Sequence, residues 1–97
     1  EINRLKETLK IKLPRFIQQY KIKSLGLFGS YIRGEQKRGS DLDVLIEFNK
    51  TPGLFTLVRL ENELSDLLGV KVDLVTRGGL SPYLKDRILK EIQPVYG

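Results

Sequence analysis

The chain has 97 residues, with 17 Lys or Arg against 12 Asp or Glu and a formal net charge of +5, and it contains no cysteine and no histidine. That excludes disulfides, thiolate and imidazole metal sites, Ser-His-Asp triads and imidazole acid/base chemistry. Any metal must be held by oxygen ligands, which favours magnesium, manganese or calcium. The length suits one small domain over residues 1–97. No apolar run approaches the roughly 20 residues needed to span a bilayer, and no secretory pattern opens the chain, so a cytoplasmic protein without a membrane partner is expected.

Ile2, Leu5, Leu9, Leu13, Phe16, Ile17 and Tyr20 recur at helical spacing and predict an amphipathic helix over 2–20, kinked or split at Pro14. Much of the positive charge lies here and just beyond, on Arg4, Lys6, Lys10, Lys12, Arg15, Lys21 and Lys23. These residues are spread along the helix with no interleaved aromatics, which reads as a solvated face rather than a base-stacking surface. Ser24 to Phe28 predicts a short strand that ends at a Gly29-Ser30 turn. Residues 30–34 suit a short helix, and 34–40 form a polar, basic loop.

Asp41 to Phe48 predicts a second strand, with Leu42, Val44, Ile46 and Phe48 on one face and Asp41, Asp43, Leu45 and Glu47 on the other. Leu54, Leu57, Val58, Leu64, Leu67 and Leu68 predict a second helix that stops at Gly69. Val70 to Thr76 predicts a third strand. Ser81-Pro82 then starts a last helix with Leu84, Ile88 and Ile92 as its apolar stripe. The strand–helix–strand unit over 41–76 requires parallel strands. The expected fold is α/β, a small mixed sheet with helices packed against it.

Chemistry concentrates between Gly29 and Asp43. Gly29 allows close backbone approach, and free N–H groups with the Ser30 hydroxyl suit a phosphate. Gly-Ser also occurs in ordinary turns. Asp41 and Asp43 are two residues apart on a strand, so their Cα atoms are about 6.5–7 Å apart and their side chains share a face. At about 5 Å and an effective dielectric near 20, two such carboxylates repel by roughly 3 kcal/mol, which a cation between them relieves. Asp41 could instead satisfy turn N–H groups, a reading harder to apply to Asp43 inside an apolar run. Asp73, between Val72 and Leu74, falls beside Asp43 if the strands are parallel neighbours. The trio then suits two divalent ions clamping a phosphoryl transfer, whereas a salt bridge to Lys71 or Arg77 is the structural alternative. Arg33, Lys37 and Arg38 lie where triphosphate oxygens need countercharge, and Arg33 is the best placed.

At these residues the sequence resembles the DNA polymerase β-type nucleotidyltransferase superfamily. Gly29-Ser30, ten residues, then Asp41-Leu42-Asp43 is similar to the spacing of the minimal nucleotidyltransferase (MNT) branch. Ser30-Tyr31-Ile32-Arg33-Gly34 resembles the Ser-x-x-Arg-Gly run of that family, and Asp73 fits its third carboxylate. The resemblance implies that Gly29 and Ser30 hold the triphosphate of ATP. It also implies that Asp41 and Asp43 coordinate two Mg²⁺ ions, and that Asp73 completes the metal site and helps activate the attacking hydroxyl. It further implies an antitoxin that transfers AMP to a tyrosine of a HEPN-type RNase toxin. Lacking histidine, the chain cannot carry that toxin's own Arg-x4–6-His motif, so it would be the antitoxin half.

The 97 residues hold no counterpart of the helical domain that larger members use to grip base and acceptor. Loose base selection, or dependence on a partner or a second copy, is expected. Two other readings stay open: an antitoxin acting by stoichiometric contact alone, and an RNA-directed nucleotidyltransferase. The latter is disfavoured by the missing stacking platform.

Overall fold

The computed structural model describes residues 2–97. Helix α1 (Ile2–Tyr20) buries Leu5, Leu9, Leu13, Phe16 and Tyr20 along one stripe. It runs through Pro14 as a single helix, where the sequence predicted a kink or split. Pro14 is on the exposed side, so water can take the carbonyl its missing N–H leaves free, and the continuous stripe anchors both halves to one core. Lys21 adopts a left-handed φ of 57°, turning the chain directly into strand β1 (Ile22–Phe28). With no glycine to mark that turn, the strand starts two residues earlier than its sequence pattern indicated.

Helix α2 (Ser30–Arg33) follows β1, and β2 (Leu42–Phe48), α3 (Leu54–Leu68) and β3 (Val72–Thr76) form the strand–helix–strand unit. A short 3₁₀ turn (Arg77–Gly79) leads to α4 (Pro82–Glu91), whose first turn is capped by Ser81 Oγ accepting from the Tyr83 N–H at 3.3 Å. A fourth strand, β4 (Gln93–Tyr96), closes the chain and was not anticipated. It is only four residues long, contains Pro94 and lies at the sheet edge, the position where a strand tolerates proline. The sheet order is β3-β2-β1-β4, with β2 and β3 parallel and the other pairs antiparallel.

The period-2 pattern of the strands divides the core in two. On one face Leu25, Leu27, Leu42, Val44, Ile46 and Val72 pack with the stripes of α1 and α3. On the other, Phe28 and Leu45 pack under Ile88 of α4, flanked by Val75, Leu80, Leu89 and Ile92. Gly26 lies beneath that second layer. A Cβ there would stand 2.7 Å from the Ile92 side chain, so the glycine is what lets α4 approach the sheet.

At the outer edge of β3, α3 protects the strand. The Val72 N–H donates to Ser65 Oγ (2.9 Å) and the Leu74 N–H to Glu61 Oε2 (2.8 Å), the two donors flanking Asp73. Ser65→Ala should cost about 1 kcal/mol, since it strands a partly buried donor. Chemical denaturation measures that loss, and faster amide exchange at Val72 locates it. No helix among the described residues is long and apolar enough to cross a membrane.

Candidate active site

The three aspartates converge because of strand register. Phe28 pairs with Asp43 across β1 and β2, and Asp43 pairs directly with Asp73 across β2 and β3. Asp41 lies one residue before β2, whose start is pinned by the Leu42 N–H donating to the Lys71 carbonyl at 2.8 Å. Strand alternation puts all three side chains on the α4 side of the sheet, at the end where β1 gives way to α2. Asp41 and Asp43 are half-buried and Asp73 is exposed.

Asp43 is the most perturbed of them. Burial, then the charge of Asp73, then that of Asp41 push its carboxyl up to about 6, with Arg33 opposing. No ion pair to Lys71 or Arg77 forms at Asp73 among the described residues; Arg77 Nη1 instead meets Glu47 Oε1 at 3.1 Å. The structural alternative for Asp73 is therefore not the one adopted.

Gly29 carries the tightest constraint. Its φ of 85° and ψ of −158° belong to a region open essentially to glycine alone. A Cβ on it would also collide with the Asp43 carboxylate, at Oδ2. The Gly29 carbonyl accepts from the Ile32 and Arg33 N–H groups, both at 3.1 Å, which builds α2 directly on the turn. The Gly29 N–H, however, does not face solvent: it donates to Glu91 Oε2 at 2.7 Å. The turn is left with the Ser30 N–H and hydroxyl as donors for an anion.

Arg33 has partners within the chain. Its Nη1 donates to Glu91 Oε1 (2.8 Å) and its Nε to Glu35 Oε1 (3.1 Å), so the chain's own carboxylates take up part of the guanidinium's donor set. Those two bonds hold its pKa above the ordinary arginine value. Lys37 and Arg38 are exposed on the loop, where the Lys37 N–H and Ser40 Oγ close a 2.8 Å bond.

Glu91, the last residue of α4, was not identified from the sequence. Burial pushes its carboxyl up, but the bonds from Arg33 and Gly29 outweigh that and hold it below the usual glutamate value. A signal did exist. A helix C-terminus disfavours an anion, so a glutamate placed there breaks a local rule, as residues at functional sites often do.

As their side chains stand, no three acidic side chains among the described residues form a metal cage by themselves. This is more open than a ready-made three-carboxylate clamp, as expected of like charges with no countercharge between them. The donor set still fits magnesium, which usually takes one or two carboxylates and completes its shell with water and substrate phosphate oxygens.

A donor turn for an anion beside clustered carboxylates, on a mixed sheet with helices on both faces, defines a nucleotidyltransferase-type enzyme. A model of the nucleotidyltransferase domain matches residues 5–95, and the chain belongs to that family, within its MNT branch. It is 44% identical over 92 residues to a candidate protein adenylyltransferase of Methanocaldococcus jannaschii, MJ1217, covering 94% of each chain. It is 39% identical over 75 residues to the protein adenylyltransferase MntA of Thermococcus cleftensis, covering 77% of this chain and 76% of that one. A chain of a toxin–antitoxin crystal structure with AMP-PNP superposes with a TM-score of 0.74 at 27% identity, over 91% of this chain and 73% of that one.

Proposed function

We propose that this nucleotidyltransferase transfers AMP from ATP to a tyrosine hydroxyl of a HEPN-type RNase toxin and is thereby its antitoxin. The observation that carries the reading is the direct pairing of Asp43 with Asp73 next to the Gly29 turn, with Asp41 two residues away. The protein adenylyltransferase relatives and the toxin–antitoxin neighbour with AMP-PNP support protein as acceptor and ATP as donor.

Asp41 and Asp43 would hold Mg²⁺, two ions in the fullest form, with Asp73 completing the set. Bound there, the metal would neutralise triphosphate charge and lower the cost of ionising the acceptor. Ser30 receives phosphate oxygens through its N–H and hydroxyl, and the glycine backbone before it admits them closely. Asp73, the most exposed of the three, faces the entering acceptor and takes the proton of its hydroxyl. The tyrosine oxygen bonds to the α-phosphorus as the bond to the bridging oxygen breaks, and pyrophosphate leaves with that electron pair.

Incubation with radiolabelled ATP and the co-expressed partner tests this. Asp41→Asn and Asp43→Asn should each abolish labelling of the partner while the domain stays folded. Equal labelling by wild type and the double variant contradicts the mechanism. An unmodified partner that is nevertheless neutralised favours stoichiometric binding instead, and label appearing on an RNA 3′ end favours an RNA acceptor.

A further inference from the structure

We infer that Glu91 is a positioning residue for the nucleotide, tying the Gly29 turn to Arg33. The inference rests on reading the site as a nucleotide site. Each Glu91 carboxylate oxygen has its own partner, Oε2 the Gly29 N–H at 2.7 Å and Oε1 the Arg33 guanidinium at 2.8 Å. The Glu91 side chain is 13% exposed, against 37% for Arg33, so the pair is shielded on the glutamate side.

Strand β4 explains how the residue arrives. Gly26 pairs with Pro94 and Leu27 with Gln93, and continuing that antiparallel register by two residues sets Glu91 opposite Gly29. The terminal strand therefore delivers a carboxylate to the turn, against the preference of a helix C-terminus for a cation.

Two consequences follow for a bound triphosphate. Fixing Gly29 fixes Asp43, because the Asp43 carboxylate packs where a Cβ on Gly29 would be. Pairing with Glu91 also anchors Arg33, which together with its bond to Glu35 holds the end of α2 against the turn on which that helix is built.

Calorimetric titration of the full chain with Mg-ATP tests this, alongside transfer kinetics, thermal unfolding and the NMR resonance of the Gly29 amide. Glu91→Ala should raise the Kd and KM for Mg-ATP about tenfold or more while kcat changes by less than about threefold. The Gly29 amide resonance should move. Glu91→Gln, which retains one acceptor oxygen, should recover part of the loss. A lower Tm with unchanged Kd in the folded Glu91→Ala protein would make Glu91 merely structural and overturn the inference. If Glu91→Ala does not fold, the Kd of Glu91→Gln decides in the same way. Wild type that binds Mg-ATP but modifies no partner defeats the proposed function alone, whereas wild type that does not bind Mg-ATP defeats both.

Discussion

Asp43→Asn is expected to have two effects of opposite sign: loss of nucleotidyl transfer, and a more stable domain when no divalent cation is present. The carboxyl titrates at about 6 in the folded chain, against 3.8 as the ordinary value, because it is partly buried beside Asp73 and Asp41. Between those two values the folded state holds more protons than the unfolded state, so stability falls as pH rises through that window. Above it, the full cost of the ionised cluster remains. Asp43 is only half-buried and solvent screens it, which reduces the cost to about 1 kcal/mol. The amide removes that cost. For a domain of this size, about 1 kcal/mol corresponds to a rise in Tm of roughly 4–8 °C.

Thermal unfolding in EDTA at pH 8 and pH 5 checks the sign. Asp43→Asn should melt higher than wild type at pH 8, with the gap narrowing at pH 5. The same substitution should lower the transfer rate by about 10³-fold or more, since on the proposed mechanism it removes a carboxylate that would hold the cation at the reacting phosphate. A variant that melts lower at pH 8 in EDTA would mean that Asp43 stabilises the fold rather than burdening it.

Gly29→Ala should be the most damaging small substitution in the chain. Its backbone conformation costs a non-glycine residue about 1–3 kcal/mol, and the new methyl collides with the Asp43 carboxylate as well. The two penalties act at one point and do not relieve each other. Turning the backbone to relax φ breaks the 2.7 Å bond to Glu91, and displacing Asp43 disturbs its pairing with Phe28 and Asp73. A stability loss of about 3 kcal/mol or more is expected by denaturant titration. The folded remainder should show no measurable Mg-ATP binding. Gly34→Ala, at a glycine with open space around it, supplies the comparison: its penalty is backbone strain without the collision.

How much of this was legible in the sequence depended on whether the signal was local. The alternation in Leu42-Asp43-Val44-Leu45-Ile46 and the parallel pairing forced by one intervening helix were enough to place Asp43 beside Asp73. The stripe of α1 and the Ser81-Pro82 start of α4 also appear in the structure where periodicity and capping chemistry indicated. In α3 only the second half follows the pattern: Leu64 and Leu68 are buried, whereas Leu54 and Val58 are exposed and Leu60, outside the predicted stripe, is fully buried.

What escaped lies in tertiary pairing. Gln93–Tyr96 is too short and too polar to announce a strand, and it exists because β1 offers a free edge. With β4 unseen, nothing indicated that Glu91 would reach Gly29, or that Arg33 would meet two carboxylates of its own chain. Leu45 shows the same limit. On the strand pattern it shares a face with the aspartates, and only the position of α4 over that face explains an apolar residue there.

The most direct test of the proposed AMP transfer is to follow each phosphate of ATP to the partner protein. Wild-type chain, Mg²⁺ and the proposed HEPN-type partner are incubated in parallel with ATP labelled at the α- or at the γ-phosphate, and the partner is then analysed by mass spectrometry. AMP transfer by this site predicts α-label on the partner, a tyrosine heavier by one or more AMP units, no γ-label, and none of this with Asp43→Asn. Transfer of γ-label, or α-label undiminished by Asp43→Asn, would contradict it.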